Sequence, residues 1–269
     1  MLVTNERTPE EGLNDVRSGG VQRRWRAAYE LSRLLSDPEV ESKHPELGVG
    51  VVQAFAASAG DDPRVRRYLA LAIGRLSNHP MEAVEALIEG LDDPDTETII
   101  SVIWALAALG DPSVRKDIDA MYSSEDAGVR KMAVYALGSL PDDGSGLTLR
   151  RALEDPEPDV QWNAAVALAR VGRVDGIQVL GRMLDREYVE RNVTRTPEVD
   201  ADLDPVSEVM VSSLQAVGWL RAIPLRDAVA VLSEGESNLR VREAALRTLE
   251  LLGPTAPESR TVMTTRERG

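Results

Sequence analysis

The stretch DPEPDVQWNAAVALARVG, residues 155–172, decides the fold because its pattern recurs along the chain. With Val160 as position 0, apolar or small residues follow at +4, +7, +8 and +11, and Gly172 closes the pattern at +12. This spacing is typical of a helix with one buried face, and a glycine just past a helix end readily adopts the left-handed conformation. The stretch therefore predicts a half-buried helix that follows an acidic-proline turn.

The same template fits seven stretches in all, which makes the chain a tandem repeat. Position 0 falls at Arg23, Val65, Thr98, Val129, Val160, Val209 and Val241. A second predicted helix precedes each stretch, most clearly over residues 80–91, so the unit is helix A, a turn and helix B. Two intervals exceed the usual spacing of 31–33 residues, and their extra residues lie at 36–46 and 186–204. Repeats of this kind are stable because neighbours stack, since one helix pair cannot bury its own apolar stripe.

A specific motif, D-P-x-x-V-R-x-x-A-x-x-A-L-x-x-L-G, runs through these copies. It is visible as DDPRVRRYLALAIGRL at residues 61–76 and as AGVRKMAVYALGSL at 127–140. The motif resembles the HEAT-repeat family, and more narrowly its short phycobilisome-lyase-type repeats. The resemblance implies an all-α, right-handed solenoid of about seven helical hairpins, with A helices on the convex side and B helices on the concave side. We predict one solenoid over residues 1–253 and a flexible tail over 254–269.

The composition argues against several classes of protein. The chain of 269 residues has no cysteine, which excludes disulfides, thiol nucleophiles and cysteine-ligated metals. Its formal net charge of −14 argues against binding to nucleic acid or anionic lipid, which requires a surplus of cations. We see no signal peptide and no apolar run long enough to span a bilayer, so we expect a cytoplasmic protein without membrane insertion.

The sequence shows no constellation of residues that would support catalysis. His44 and His79 each precede a proline in a predicted loop, and we assign neither of them an acidic partner at helical spacing. No Ser-His-Asp arrangement is visible, and the glycine-rich stretches lack the strand-to-helix context of a phosphate loop. We therefore expect no metal, no cofactor and no enzymatic activity.

Positions +2 and +6 of the B helices point away from the core stripe, because a helix turns by 100° per residue. Five of the chain's ten aromatic residues fall in these slots, and Arg33, Arg75, Arg170 and Trp219 flank them at +10. Aromatic and arginine side chains are typical of interface hot spots. The alternative is that the aromatic rings pack against neighbouring B helices. Position +9 is small in most copies, which indicates close backbone packing.

These residues predict a non-catalytic interaction scaffold that binds a helix or peptide of another protein on the concave face. The predicted anchors are Trp25, Tyr29, Trp104, Tyr135 and Trp162, with Arg67 and Lys131 pairing carboxylates of the partner. Periodicity excludes Trp162 from the core, and the insertion at 186–204 would act as a flap or a second contact. One alternative is a bilin-lyase-like subunit or chaperone that holds a tetrapyrrole through aromatic rings and arginines. A HEAT-like DNA glycosylase is a further alternative, which the net charge disfavours.

A second set of arginines lies at position +1, close behind the acidic turns: Arg24, Arg66, Arg130 and Arg242. We predict that they form a ladder of ion pairs with acidic turns of adjacent repeats. Repeats three, five and six have Ile99, Gln161 and Met210 at this position, so the predicted ladder is incomplete.

Overall fold

The computed structural model describes residues 8–140, 146–194 and 204–253, and every regular element within these ranges is a helix. Seven are A helices: α1 (Pro9–Ser18), α4 (Leu47–Ala57), α6 (Glu82–Glu89), α8 (Arg115–Met121), α10 (Gly146–Ala152), α12 (Ile177–Met183) and α15 (Arg226–Gly235). Seven are B helices: α2 (Val21–Leu34), α5 (Pro63–Ile73), α7 (Thr96–Leu109), α9 (Ala127–Ser139), α11 (Pro158–Arg170), α14 (Pro205–Leu220) and α16 (Leu239–Leu252). The seven predicted hairpins are confirmed.

Each of the two insertions contributes one further helix, α3 (Pro38–Lys43) and α13 (Arg186–Asn192). Helix α13 packs against α12 and α14, and its Val189 is buried. This part of the predicted flap is therefore an integral part of the packing. The rest of that insertion, residues 195–203, and the predicted tail, 254–269, lie outside the described residues.

Consecutive B helices pack against one another in chain order, and each A helix packs against the B helix of its own repeat. The template stripe forms the core, as Val65, Leu69, Ala72 and Ile73 of α5 show, since all four are fully buried. The stack thus supplies each helix with the apolar cover that its own hairpin lacks.

Adjacent B helices approach closely at position +9, as predicted from the small residues there. A Cβ atom at Gly74 would lie 2.7 Å from the Cα of Ala105, and one at Gly138 would lie 2.4 Å from the Cβ of Ala167. Both distances are shorter than real side chains tolerate. Glycine is therefore required where these helices cross.

The predicted ion-pair ladder is present, and each rung also fixes a helix start. Asp93 accepts the backbone N–H of Asp95 at 2.9 Å and the Nε–H of Arg66 from the preceding repeat. Asp155 accepts the N–H of Glu157 at 3.0 Å and two N–H groups of Arg130 at 2.9 and 3.0 Å.

The other two arginines at position +1, Arg24 and Arg242, differ in their partners. Arg24 pairs with Asp61 at the turn of repeat two, which makes a third rung. Arg242, in the last repeat, donates instead to the carbonyl oxygen of Glu236 in its own turn. The prediction is therefore confirmed for three of the four arginines.

The gap expected before repeat seven is filled from an insertion. Arg186 of α13 donates to both carboxylate oxygens of Glu236, at 3.1 and 2.9 Å. Glu236 also accepts the N–H of Asn238, the N-cap of α16, and therefore does what Asp93 and Asp155 do in their repeats. Although burial raises it, the Arg186 hydrogen bond holds the pKa of Glu236 below its ordinary value. Sequence periodicity missed this rung because its cation lies outside the repeat.

The buried apolar residues form two clusters that meet at α11. Val160, Ala164 and Leu168 belong to the first cluster, which extends back to α1. Ala165 and Ala169 belong to the second, which extends forward to α16. Helix α11 therefore contributes one face to the first cluster and the opposite face to the second.

Removal of a buried rung should destabilise the fold much more than removal of an exposed ion pair. Asp155→Ala leaves the largely buried guanidinium of Arg130 without its carboxylate, so we expect a loss of about 3–5 kcal/mol in the free energy of unfolding. Asp159→Ala, which breaks the exposed pair with Lys131, is the control and should cost less than about 1 kcal/mol. Urea unfolding followed by circular dichroism measures both, and equal losses would contradict the ladder's importance.

The stability conferred by Asp95 should depend on pH. Hydrogen bonds from Arg67 lower the pKa of Asp95 from 3.8 to about 2. Because the folded-state pKa is depressed, this stabilisation is fully present above pH 3.8 and is lost as the pH falls towards 2. Asp95→Asn retains an acceptor for the cap of α7 but loses the charge.

Unfolding free energies of wild type and Asp95→Asn should therefore differ by a constant amount from pH 5 to 7 and converge between about pH 4 and 2. Asp126→Asn is the control, because Asp126 caps α9 and has no cationic partner among the described residues. A difference that does not change with pH would contradict the role given to Arg67.

Candidate functional site

We define the B face as the side chains at positions +2, +6 and +10 of the seven B helices. Tyr29, Tyr135 and Trp219 are exposed on it, at 41%, 40% and 50%. Trp25 and Trp104 are half-buried against the first apolar cluster. The B face is therefore largely accessible, as its periodicity predicts.

A groove opens on this face between α11 and α14, with a volume of about 420 Å³. Lys131, Tyr135 and Trp162 line it, together with Val166, Arg170 and Val209. We call it the α11–α14 groove. It brings together three of the seven residues predicted to bind a partner, which lie on two successive B helices.

The prediction that Trp162 is a surface residue is wrong. Its side chain is only 3% exposed and belongs to the second apolar cluster. The ring of Tyr188 on α13 meets it edge to face, with 6.4 Å between ring centroids. Periodicity gives the direction of a side chain on its own helix, and it could not foresee that an inserted helix covers this one.

Trp162 nevertheless forms part of the groove wall, and its indole N–H is unusual. Nε1 is fully buried and has no acceptor among the described residues. A buried donor without a partner costs about 1–3 kcal/mol, and Trp N–H groups normally find an acceptor. The wall of the groove therefore contains an unsatisfied polar group.

The two cations predicted to pair a partner's carboxylates already hold carboxylates of this chain. Arg67 binds Asp95 of the next repeat through Nε and Nη2, at 2.9 and 2.7 Å. Lys131 lies 3.1 Å from Asp159 of the next repeat, and its side chain remains 47% exposed. These pairs extend the ladder to position +2, and which acids lie within reach could not be predicted from the repeat pattern.

The three predicted anchors in the first repeats lie outside the groove and pack against neighbours. Trp25 has the guanidinium of Arg64 5.0 Å from its ring centroid, and its N–H donates to Gln22. Tyr29 meets Tyr68 edge to face with 5.1 Å between centroids, and Trp104 lies beneath the guanidinium of Arg75. These contacts are of the kind that the alternative interpretation, packing between B helices, describes, and a role of these rings in partner binding stays a prediction.

The part of the chain that the structure describes contains no cluster of three or more potential metal ligands. His44 does have an acidic partner, Glu10, which the sequence reading missed because α1 brings it from a distant position. None of the described helices has the length and apolar character needed to cross a membrane.

The family profile for HEAT repeats matches residues 52–123 and 118–195. These matches cover more than half of the chain, so the chain belongs to the HEAT-repeat family. The repeats form a helical-repeat scaffold.

Two known proteins are similar to this chain, one in sequence and one in fold. The chain is 30% identical over 107 residues to the uncharacterized phycocyanin operon protein Z of Pseudanabaena tenuis (strain PCC 7409), over 37% of this chain and 53% of that protein. It therefore spans about half the length of the curated relative that it matches. The solved complex of CpcE and CpcF of phycocyanin lyase from Nostoc sp. PCC7120 has a similar fold, with a TM-score of 0.56 and 18% identity over 94% of this chain and 98% of that chain.

Replacement of Trp162 should separate its packing from its unsatisfied N–H. Trp162→Ala should cost about 3–5 kcal/mol of unfolding free energy, because it removes a large buried ring. Trp162→Phe retains an aromatic ring against Tyr188 and removes the unpaired donor, so it should cost about 1 kcal/mol or less. Urea unfolding measures both variants, and a similar loss in the two would show that the N–H is satisfied in solution.

Proposed function

We propose that this protein is a non-catalytic scaffold whose α11–α14 groove binds a segment of a partner protein. The observation that carries this proposal is the groove itself, where the exposed ring of Tyr135, the stem of Lys131 and the apolar side chains of Val166 and Val209 converge. Concave apolar surfaces with a few convergent polar groups are the usual form of a binding site.

The charges in the groove support binding rather than catalysis. Its two carboxylates, Asp159 and Glu208, each form an ion pair, with Lys131 and Arg240 respectively. An acid–base mechanism needs a carboxylate or histidine poised to exchange a proton with a substrate, and both of these acids are held by a cation. None of the described residues that line the groove is a histidine.

The unsatisfied N–H of Trp162 supports the same proposal. A partner segment offers backbone carbonyl oxygens, and a small shift of the indole ring would allow it to donate to one of them. Satisfying this donor would recover part of the cost of burying it, about 1–3 kcal/mol. That gain would be available only when the groove is occupied.

A second candidate is a role with a tetrapyrrole or with the protein that carries it. Support comes from the relative named for a phycocyanin operon and from the fold shared with the phycocyanin lyase complex. Lys131 and Arg170 line the groove beside aromatic rings and could pair with the carboxylates of such a ligand. A titration with free bilin, followed by visible absorbance, tests it directly: a saturable spectral shift that Tyr135→Ala abolishes would favour this candidate.

Truncation of the exposed groove ring should remove partner binding without affecting the fold. Proteins that co-purify with the wild type should be identified by mass spectrometry, and the strongest one should be titrated as a pure protein. We expect Tyr135→Ala to weaken that binding at least tenfold, because a half-exposed ring in a groove is a typical hot spot.

Leu147→Ala is the matched control, because Leu147 is 63% exposed but lies on the A helix α10. It should leave the affinity unchanged, and both variants should keep wild-type circular dichroism. Equal affinity of the wild type and Tyr135→Ala for every co-purified protein would sink the proposal.

A further inference from the structure

We propose that the partner segment is acidic and that Arg75 and Arg170 receive its carboxylates. This inference rests on the proposed function and names the chemistry of the partner. It replaces Arg67 and Lys131, which the sequence favoured for this role, with two arginines at position +10, Arg75 just past the end of α5 and Arg170 at the end of α11.

The B face differs from the rest of the chain in charge. The chain as a whole has 31 Lys and Arg against 45 Asp and Glu. Of the 21 side chains of the B face, six are Lys or Arg and only Glu243 is acidic. A basic, aromatic surface on an acidic protein is electrostatically complementary to an acidic partner.

The cations of the B face fall into two groups. Arg67, Lys131 and Arg247 each form an ion pair with a carboxylate of this chain. Arg33, Arg75 and Arg170, all at position +10, have no carboxylate partner among the described residues. The unmatched positive charge of the face is therefore concentrated in the +10 row.

Arg75 and Arg170 share one geometry, in which each spans three consecutive B helices. Nη1 of Arg170 donates to the carbonyl oxygen of Gly138 on α9 at 3.2 Å, and its guanidinium lies 5.9 Å from the ring centroid of Trp219 on α14. Nη1 of Arg75 likewise donates to the carbonyl of Ser32 on α2, and its guanidinium lies 5.9 Å from the centroid of Trp104 on α7.

This arrangement holds each guanidinium in place while leaving donors unused. Arginine has five N–H donors, and within the described ranges the hydrogen bonds of these two side chains involve only Nη1. A carboxylate can bind such a fork through two parallel hydrogen bonds, which are among the strongest in proteins. Because the stacking ring and the carbonyl already fix the side chain, little conformational entropy is lost on binding.

The position of Arg170 connects these arginines to the proposed site. Arg170 lines the α11–α14 groove together with Tyr135 and Val166. A segment that places an apolar side chain in the groove can therefore place a neighbouring carboxylate on Arg170. Arg75 lies three B helices away, roughly 24–30 Å at usual interhelical distances, which an extended segment of about eight residues spans.

The observations favour an acidic peptide over nucleic acid. Duplex DNA carries one negative charge per about 1.7 Å and is bound by many cations at once. The B face offers three unmatched arginines, and the net charge of −14 repels a polyanion. A peptide with a few carboxylates can pair them directly with the arginines. Its repulsion by the more distant acidic residues of the protein is screened beyond about 8 Å at physiological salt.

The test selects 12-residue peptides from a randomised phage-displayed library on immobilised full-length protein. Wild type should enrich peptides that combine Asp or Glu with an apolar residue, and Arg75→Gln/Arg170→Gln should lose the acidic enrichment. The strongest acidic peptide should bind Arg170→Gln at least tenfold more weakly than the wild type. Arg151→Gln is the matched control. Arg151 lies on the A helix α10, away from the B face, and its guanidinium also stacks on an aromatic ring, 5.7 Å from the ring centroid of Tyr122.

The two arginines also bridge repeats, so their replacement can alter the packing as well as the binding. The loss of peptide affinity is therefore measured a second way, with the peptide changed and the protein unaltered. Replacing the peptide's Glu and Asp residues by Gln and Asn should weaken its binding to wild type at least tenfold. Peptides that require Tyr135 but show no acidic enrichment would overturn this inference and leave the proposed function intact. A 12-nucleotide oligothymidine that competes for Arg170 with higher affinity than the peptide would also overturn it.

Discussion

A carboxylate in the turn before the B helices α7, α11 and α16 connects local structure to the stack as a whole. Asp93, Asp155 and Glu236 each accept the backbone N–H of a helix N-cap and the guanidinium of an arginine from an earlier element. The same atoms therefore define where a helix begins and how its repeat is positioned on the preceding one. At the turn before α9 the equivalent side chain is that of Ser124, whose hydroxyl accepts the N–H of the N-cap Asp126 and no arginine N–H from the described residues. Repeat four therefore has Ser124 in place of the turn acid, and repeat three has Ile99 in place of the arginine at position +1.

The helices and their buried stripe could be predicted from the sequence because both depend on residues close together in the chain. The surroundings of a side chain could not be predicted where they come from a distant part of the chain. Trp162 is buried by Tyr188 of an inserted helix, and Arg67 is neutralised by Asp95 of the next repeat. Neither partner follows from the direction in which a residue points on its own helix. The insertion, which breaks the period, supplies both the cover for Trp162 and the cation for Glu236.

The candidate site could be predicted as a face but not as a groove. Periodicity placed Lys131, Tyr135 and Trp162 on one surface, and the structure brings them together with Val209 of the following B helix. Arg67 and Lys131 differ from Arg75 and Arg170 in that an acid of the next repeat lies within their reach. That distinction depends on the packing angle between helices, which a repeat template does not contain. The template placed Arg170 on this face, but it could not predict that no carboxylate of the described residues pairs with Arg170.

Helix α11 contributes to both apolar clusters and also forms one wall of the groove. The two halves of the stack therefore share a single structural element, and neither can lose its packing there without exposing the other. A ligand that binds the groove only when α11 is folded would stabilise both halves, and a change that unfolds either half in part of the population would lower the apparent affinity in proportion to the population lost. Under the proposed function, occupancy of the groove and folding of both halves are therefore one coupled equilibrium.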